Sequence, residues 1–156
     1  MQRAKYRLLF ETEQNKSNSV KLRHREIMAE LNKILYVEDE PDIQAIASIA
    51  LENVGGFNIL ICSSGQEAID KAADFAPDLI LLDVMMPGMD GPSTLVQLRK
   101  QASLADTPVM FMTAKVQPQE IEQFKAFGAI EVIAKPFDPM SLADTIKQAW
   151  SAHTQK

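Results

Sequence analysis

Five residues, far apart in the chain, carry groups that could act together: Glu38 and Asp39, Asp83, Thr113 and Lys135. Each stands at the end of a short apolar run, Ile34-Leu35-Tyr36-Val37, Leu79-Ile80-Leu81-Leu82, Val109-Met110-Phe111-Met112 or Ala129-Ile130-Glu131-Val132-Ile133-Ala134. Carboxylates brought close together repel, and at least one pKa rises unless a cation joins them. Two or three acids in an all-oxygen set suit Mg²⁺, with Mn²⁺ as the alternative ion. A threonine hydroxyl and a lysine ammonium are the groups that hold phosphoryl oxygens. One carboxylate, one divalent ion, one hydroxyl and one ammonium make a site for phosphoryl transfer onto an aspartate. Taken singly, each residue has a plainer reading. Asp83 could open a turn, Glu38-Asp39-Glu40 could favour a helix start, and Thr113 and Lys135 could be an ordinary strand-end hydroxyl and a solvated amine. Joint arrival at one place separates the two readings.

The elements that must bring them together follow from periodicity. Apolar runs of four to six residues, bounded by Pro, Gly, Asp and Ser, read as buried strands. The predicted strands are Ile34–Val37, Phe57–Cys62, Leu79–Leu82, Val109–Thr113 and Ala129–Ala134. Between them lie helical patterns. Pro41 opens the first, with Ile43, Ile46, Ala47 and Ala50 on its inner face and Gly55-Gly56 as its stop. Gln66–Phe75 carries Ala68, Ile69, Ala72 and Ala73 inward, and the helix after Gly91 carries Leu95, Val96 and Leu98. Pro118–Phe127 ends at Gly128, and Asp138-Pro139 opens a last helix bearing Met140, Ala143, Ile146 and Trp150. Strands alternating with helices call for an α/β, doubly wound domain with a five-stranded parallel sheet. In such a sheet the carboxyl ends of the strands share one edge, and all five groups sit there.

The composition is that of a globular protein, 46% hydrophobic and 24% charged. The net charge of −5 argues against general nucleic-acid binding. Residues 1–27 hold seven Lys/Arg against three Glu, a net +4, which leaves −9 to the remainder. Residues 1–32 therefore read as a basic extension and 33–152 as the domain, with Val20, Leu22, Ile27, Met28 and Leu31 forming at most a weak stripe. Cys62 is the single cysteine and is expected as a buried small hydrophobe. No apolar run reaches the length of about 20 residues that a membrane span needs. The expected location is cytoplasmic.

Glu38-Asp39, Asp83 with Met86-Pro87 and Asp90-Gly91, Thr113-Ala114 and Lys135-Pro136-Phe137 together resemble the receiver domain of two-component response regulators, from about Lys33 to about Trp150. The resemblance implies a flavodoxin-like (β/α)5 fold with strand order 2-1-3-4-5. It implies that Asp83 accepts a phosphoryl group from a histidine kinase, a histidine phosphotransfer protein or a small phosphodonor. Asp39, Asp83 and the Met85 backbone carbonyl would hold Mg²⁺, with Glu38 acting through water. Thr113 and Lys135 would turn to the acyl phosphate, and the Lys135–Pro136 peptide would be cis. Such a domain catalyses only its own phosphorylation and dephosphorylation, so it is not expected to be a turnover enzyme.

This chain also departs from the family pattern. Many receivers carry Tyr or Phe three residues before the lysine as a rotating switch, where this sequence has Val132. Met85 and Lys115, at the two variable positions flanking the site, offer neither carboxylate nor amide to orient an attacking water, so a long-lived phosphoaspartate is expected. Ala114 is small and keeps the route to Asp83 open. With the chain ending at Lys156, the expectation is a stand-alone receiver that binds an unidentified downstream protein or relays phosphate. It would be a monomer or a weak dimer through its fourth helix, fifth strand and fifth helix. Two rivals keep the fold: a phosphate-independent interaction module and a receiver fragment of a larger regulator. A phosphohydrolase using Asp83 as nucleophile would need a second acid close behind it, and Val84 and Met85 supply none.

Overall fold

The strand Leu79–Asp83 (β3) is buried along its whole length at the centre of the sheet. The computed structural model describes residues 31–155, and elements are numbered among these. Around β3, the strands β1 (Lys33–Val37), β2 (Asn58–Cys62), β4 (Val109–Thr113) and β5 (Glu131–Ala134) pair in parallel in the order 2-1-3-4-5. The helices are α1 (Pro41–Ser48), α2 (Gly65–Phe75), α3 (Gly91–Arg99), α4 (Pro118–Ala126) and α5 (Leu142–Thr154). This is the doubly wound parallel architecture expected from the alternation, in the flavodoxin-like (β/α)5 order that the resemblance implies.

Side chains alternate across each strand, so each strand serves two cores. Ile34 and Tyr36, Leu79 and Leu81, Met110 and Met112, and Ile133 pack against Ala47 of α1 and Leu142, Ile146 and Trp150 of α5. Leu35 and Val37, Ile80 and Leu82, and Val109 and Phe111 face α2 and α3 through Ala68, Ala72, Leu95 and Leu98. Burial on both faces is what a continuous apolar run such as Leu79–Leu82 requires. Phe111 also meets the rings of Phe124 and Phe127 at 5.3 and 6.4 Å, which fastens α4 to the sheet.

Several inner positions predicted from periodicity lie outside. Ile46 is 46% exposed, and Val96 and Ala73 are exposed too. Ile46 belongs to α1, which does not end as a regular helix. Beyond Ser48 the helix widens into a π-turn over Ile49–Val54, with the Gly55 N–H reaching the Ala50 carbonyl at 3.1 Å. The buried stripe is Ala47, Ala50 and Leu51, at ordinary three- and four-residue helical spacing, and Ile46 lies beside it on the outer side. The last helix begins later than predicted. Asp138 does cap, but it caps a turn: its carboxylate accepts from the Met140 N–H at 3.0 Å and its carbonyl from the Ser141 and Leu142 N–H groups. The regular helix starts at Leu142, leaving Met140 69% exposed.

At the opposite edge of the sheet, Asp78 ties down the start of β1. Its Oδ2 accepts from the Asn32 and Lys33 N–H groups at 3.0 and 2.9 Å, and Leu31 packs against the core of the α1 and α5 face. The ordered ties thus begin two residues ahead of the boundary expected at Lys33. The expected basic extension lies, up to residue 30, outside the described residues. No helix among the described residues is long and apolar enough to cross a membrane. Cys62 is fully buried, and burial pushes its thiol up to about 11, so it packs as an inert small hydrophobe.

Candidate functional site

Register brings the acids together. Val37 is paired with Leu82, so the next residue on each strand, Glu38 and Asp83, stand side by side at the carboxyl edge. Alternation does the rest. Glu38 continues the face of Ile34 and Tyr36, Asp83 that of Leu79 and Leu81, and Lys135 that of Ile133. The ladder extends one step past the strands, with the Glu38 N–H on the Cys62 carbonyl at 3.0 Å and the Lys135 N–H on the Thr113 carbonyl at 2.9 Å. The loop after β3 turns tightly because residue 91 is glycine. Its N–H donates to the Val84 carbonyl at 2.8 Å, and a Cβ there would lie 2.5 Å from the Asp83 carbonyl oxygen. Asp90 then caps α3 through the Ser93 N–H at 2.8 Å.

Lys135 spans the two acids. Its Nζ lies 3.0 Å from Glu38 Oε2 and 3.3 Å from Asp83 Oδ1, with Glu38 fully buried and Asp83 almost so. Burial raises both carboxyl pKa values above the ordinary range; Lys135 opposes this at each of them. Burial pulls the Lys135 ammonium down, but the hydrogen bond to Glu38 and the charge of Asp83 outweigh it, and its pKa is raised. The ammonium is held charged between two acids. Tyr36, buried beneath them, places its hydroxyl 3.5 Å from Glu38 Oε2. Burial, then the charges of Glu38 and Asp83, raise the pKa of that hydroxyl, so it stays a protonated phenol.

Asp39 completes the acidic group. Glu38, Asp39 and Asp83 each bring a carboxylate oxygen to within 4.8 Å of the other two. One lysine does not neutralise three acids. Asp39 Oδ1 is moreover buried with no hydrogen-bond partner, and such an atom carries a desolvation penalty unless something charged satisfies it. A divalent cation with oxygen ligands fits that demand, and the three acids could hold it.

The remaining predicted positions divide. Thr113 is buried at the end of β4 on the opposite parity from Asp83, and its hydroxyl accepts from the Lys115 N–H at 3.1 Å. It therefore bonds to the loop after β4. Ala114 and Lys115 are exposed, as is the side chain of Met85 at 66%. Val132 is half-buried in β5 opposite Phe111. The Lys135–Pro136 peptide is cis. Two features escaped the sequence reading. Gln44 of α1 donates to the Glu38 carbonyl and to Ser63 Oγ, at 2.5 and 3.1 Å, joining the ends of β1 and β2. A cleft of about 610 Å³ opens between the loop after β3 and α4, lined by Met85, Asp90, Lys115, Glu120, Gln123 and Phe124 among others. Neither leaves a periodic signal, because both depend on packing between distant segments.

Comparison with known proteins adds identity to this geometry. Residues 34–147 match the model of the response regulator receiver domain. The alkaline phosphatase synthesis transcriptional regulatory protein PhoP of Bacillus subtilis is 36% identical over 115 residues, 74% of this chain and 47% of that protein. The response regulator Rre1 of Synechocystis is 33% identical over 77% of this chain and 52% of its own length. The chain spans about half the length of these two curated relatives. Among solved structures, the chemotaxis response regulator CheY4 of Vibrio cholerae superposes with a TM-score of 0.70 at 31% identity, over 76% of this chain and 98% of its own. The signal receiver domain of a histidine kinase from Syntrophus aciditrophicus gives 0.66 at 31% identity, over 80% and 94%. With the family model covering most of its length and the acids, threonine and lysine of the motif at one sheet edge, this chain belongs to the response regulator receiver domain family.

Proposed function

We propose that Asp83 is the phosphoacceptor of a phosphorylation-dependent signalling domain. The observation that carries this is the position of its carboxylate, between the Lys135 ammonium at 3.3 Å and the acidic group whose Asp39 Oδ1 is buried without a partner. The carboxylate is almost buried yet stands at an edge where Ala114 is small and exposed. An oxygen of Asp83 attacks the phosphorus of a phosphohistidine. A P–O bond forms and the P–N bond breaks, and the imidazole leaves with the electron pair and takes a proton from solvent. Asp39, Asp83 and the Met85 carbonyl would hold Mg²⁺, with Glu38 assisting through water, and the ion would supply charge neutralisation for the transferring group. Lys135 holds one phosphoryl oxygen, and Thr113 exchanges its bond with the Lys115 N–H for another.

The donor is a sensor histidine kinase or a histidine phosphotransfer protein, with small acyl phosphates as substitutes. The domain undergoes only its own phosphorylation and dephosphorylation. Its output is protein binding or phosphorelay through α4, β5 and α5, where Val116 and Phe127 expose apolar surface. Residues 1–32 act as a basic extension to the domain of residues 33–152. Mixing the protein with Mg²⁺ and acetyl phosphate tests the reading. Intact mass should rise by one phosphoryl group in the wild type and not in Asp83→Asn. A wild-type mass that does not change with Mg²⁺ and donor would favour the phosphate-independent module instead.

A further inference from the structure

Beside the acids and the lysine, Tyr36 is a polar side chain that the phosphoacceptor reading leaves without a role. It is fully buried in β1, two residues before Glu38, and strand alternation aims both side chains toward α1 and α5. A phenol at that depth needs a hydrogen-bond partner, and the partner is Glu38 Oε2 at 3.5 Å. The same oxygen accepts from Lys135 Nζ at 3.0 Å. At 3.5 Å an O–H···O bond is stretched well past its usual length, so Lys135 is the principal donor to Glu38 as the domain stands.

The phosphoacceptor role changes that balance. If Lys135 turns to a phosphoryl oxygen on Asp83, Glu38 Oε2, on a fully buried side chain, loses its ammonium. A buried carboxylate stripped of its partner is strongly unfavourable. Glu38 Oε1 keeps the Glu40 N–H at 3.3 Å, which leaves Oε2 to the phenol. We propose that Tyr36 is a positioning residue that takes over Glu38 Oε2 when Lys135 leaves it, and so releases Lys135 to the phosphoryl group. A phenylalanine at this strand position would fill nearly the same space and donate nothing. The tyrosine adds one donor, at the oxygen Lys135 must vacate.

This inference rests on the phosphoacceptor reading, and its test separates the two. Tyr36→Phe removes only the hydroxyl and keeps the ring in the core. Beryllofluoride, which mimics the phosphoryl group, is titrated at saturating Mg²⁺ and followed by the ¹⁹F signal of the bound fluoride. Mg²⁺ affinity is measured separately in the absence of beryllofluoride. One lost hydrogen bond predicts beryllofluoride affinity weakened roughly three- to tenfold, with Mg²⁺ affinity unchanged. In a Glu38→Gln background the same substitution should have much less effect, because the residue through which Tyr36 acts has lost its charge. Unchanged beryllofluoride affinity in Tyr36→Phe would overturn the proposal. So would an equal loss of Mg²⁺ affinity, which marks general distortion, or a full effect in the Glu38→Gln background. A wild-type protein that binds no beryllofluoride while Mg²⁺ is bound would overturn the phosphoacceptor reading itself, and this inference with it.

Discussion

Glu38 and Asp83 stand at neighbouring register positions on parallel strands and share a single ammonium, Lys135 Nζ, at 3.0 and 3.3 Å. Both acids are buried, and burial raises both of their pKa values. A carboxyl whose folded pKa is raised binds its proton more tightly folded than unfolded. The pair therefore stabilises the domain fully below the ordinary carboxylate range, and that contribution is lost as pH rises through the folded values. Without divalent ions, Asp83→Asn should be more stable than wild type at neutral pH, by on the order of 1 kcal/mol. The advantage should shrink as pH falls toward the ordinary carboxylate range. Urea unfolding across that pH range, in chelator, reads both effects. A mutant less stable than wild type at neutral pH would contradict the argument.

A divalent cation would satisfy what Lys135 leaves over. Mg²⁺ should raise the melting temperature of the wild type in a concentration-dependent way. Linkage sets the gain at about 2.7 kcal/mol when free ion exceeds its dissociation constant a hundredfold. Asp39→Asn weakens the site at its unpartnered oxygen, so most of that gain should vanish. Thermal scans with and without Mg²⁺ on both proteins suffice.

The phosphoaspartate should be slow to hydrolyse. Met85 and Lys115 flank the site without a group that orients water, and both line the cleft beside α4. Glu120 and Gln123 line that cleft too, but the Glu120 carboxylate already accepts from the Gln117 N–H at 3.2 Å as part of the α4 cap. Met85→Asn puts an amide at the edge of the site and should speed decay several-fold. Following the loss of the phosphorylated mass after donor removal measures both rates. Wild-type decay within seconds would end this account.

Val132 has no ring to move, so the response should travel through the Thr113–Lys115 contact and α4. Beryllofluoride should shift amide resonances of residues 113–126 more than those of β5. Val132→Tyr should extend the shifts to β5 and α5. A response in the variant that is identical to that of wild type would show that the aromatic position does not matter here.

Gly91 is confined by its neighbours. A Cβ at this position meets the Asp83 carbonyl oxygen at 2.5 Å and Val84 Cα at 2.9 Å, both backbone atoms that cannot step aside. Gly91→Ala should destabilise the domain by about 1–3 kcal/mol. Because the clash pushes on Asp83 itself, acceptance of phosphate should fall as well. Denaturation and acetyl phosphate labelling of the same sample measure the two losses together.

Hydrophobic period and turn residues were enough to set the order and type of the elements, and the residues that end each strand. Runs such as Leu79–Leu82 can only be buried on both faces, and alternation with helices makes the sheet parallel. A parallel sheet places Glu38, Asp39, Asp83, Thr113 and Lys135 on one edge. Those are local or topological facts, carried by hydrophobic period and turn residues. Tertiary structure decided everything that depends on phase and on partners far along the chain. Ile46 fell on the outer side of α1, and the cap by Asp138 delayed α5 and exposed Met140. Only the packed sheet showed that Lys135 pairs with Glu38 across 97 positions, that Thr113 bonds to Lys115, and that Tyr36 lies under Glu38. Periodicity says which face a side chain takes. Which atom it meets there depends on neighbours that no local window contains.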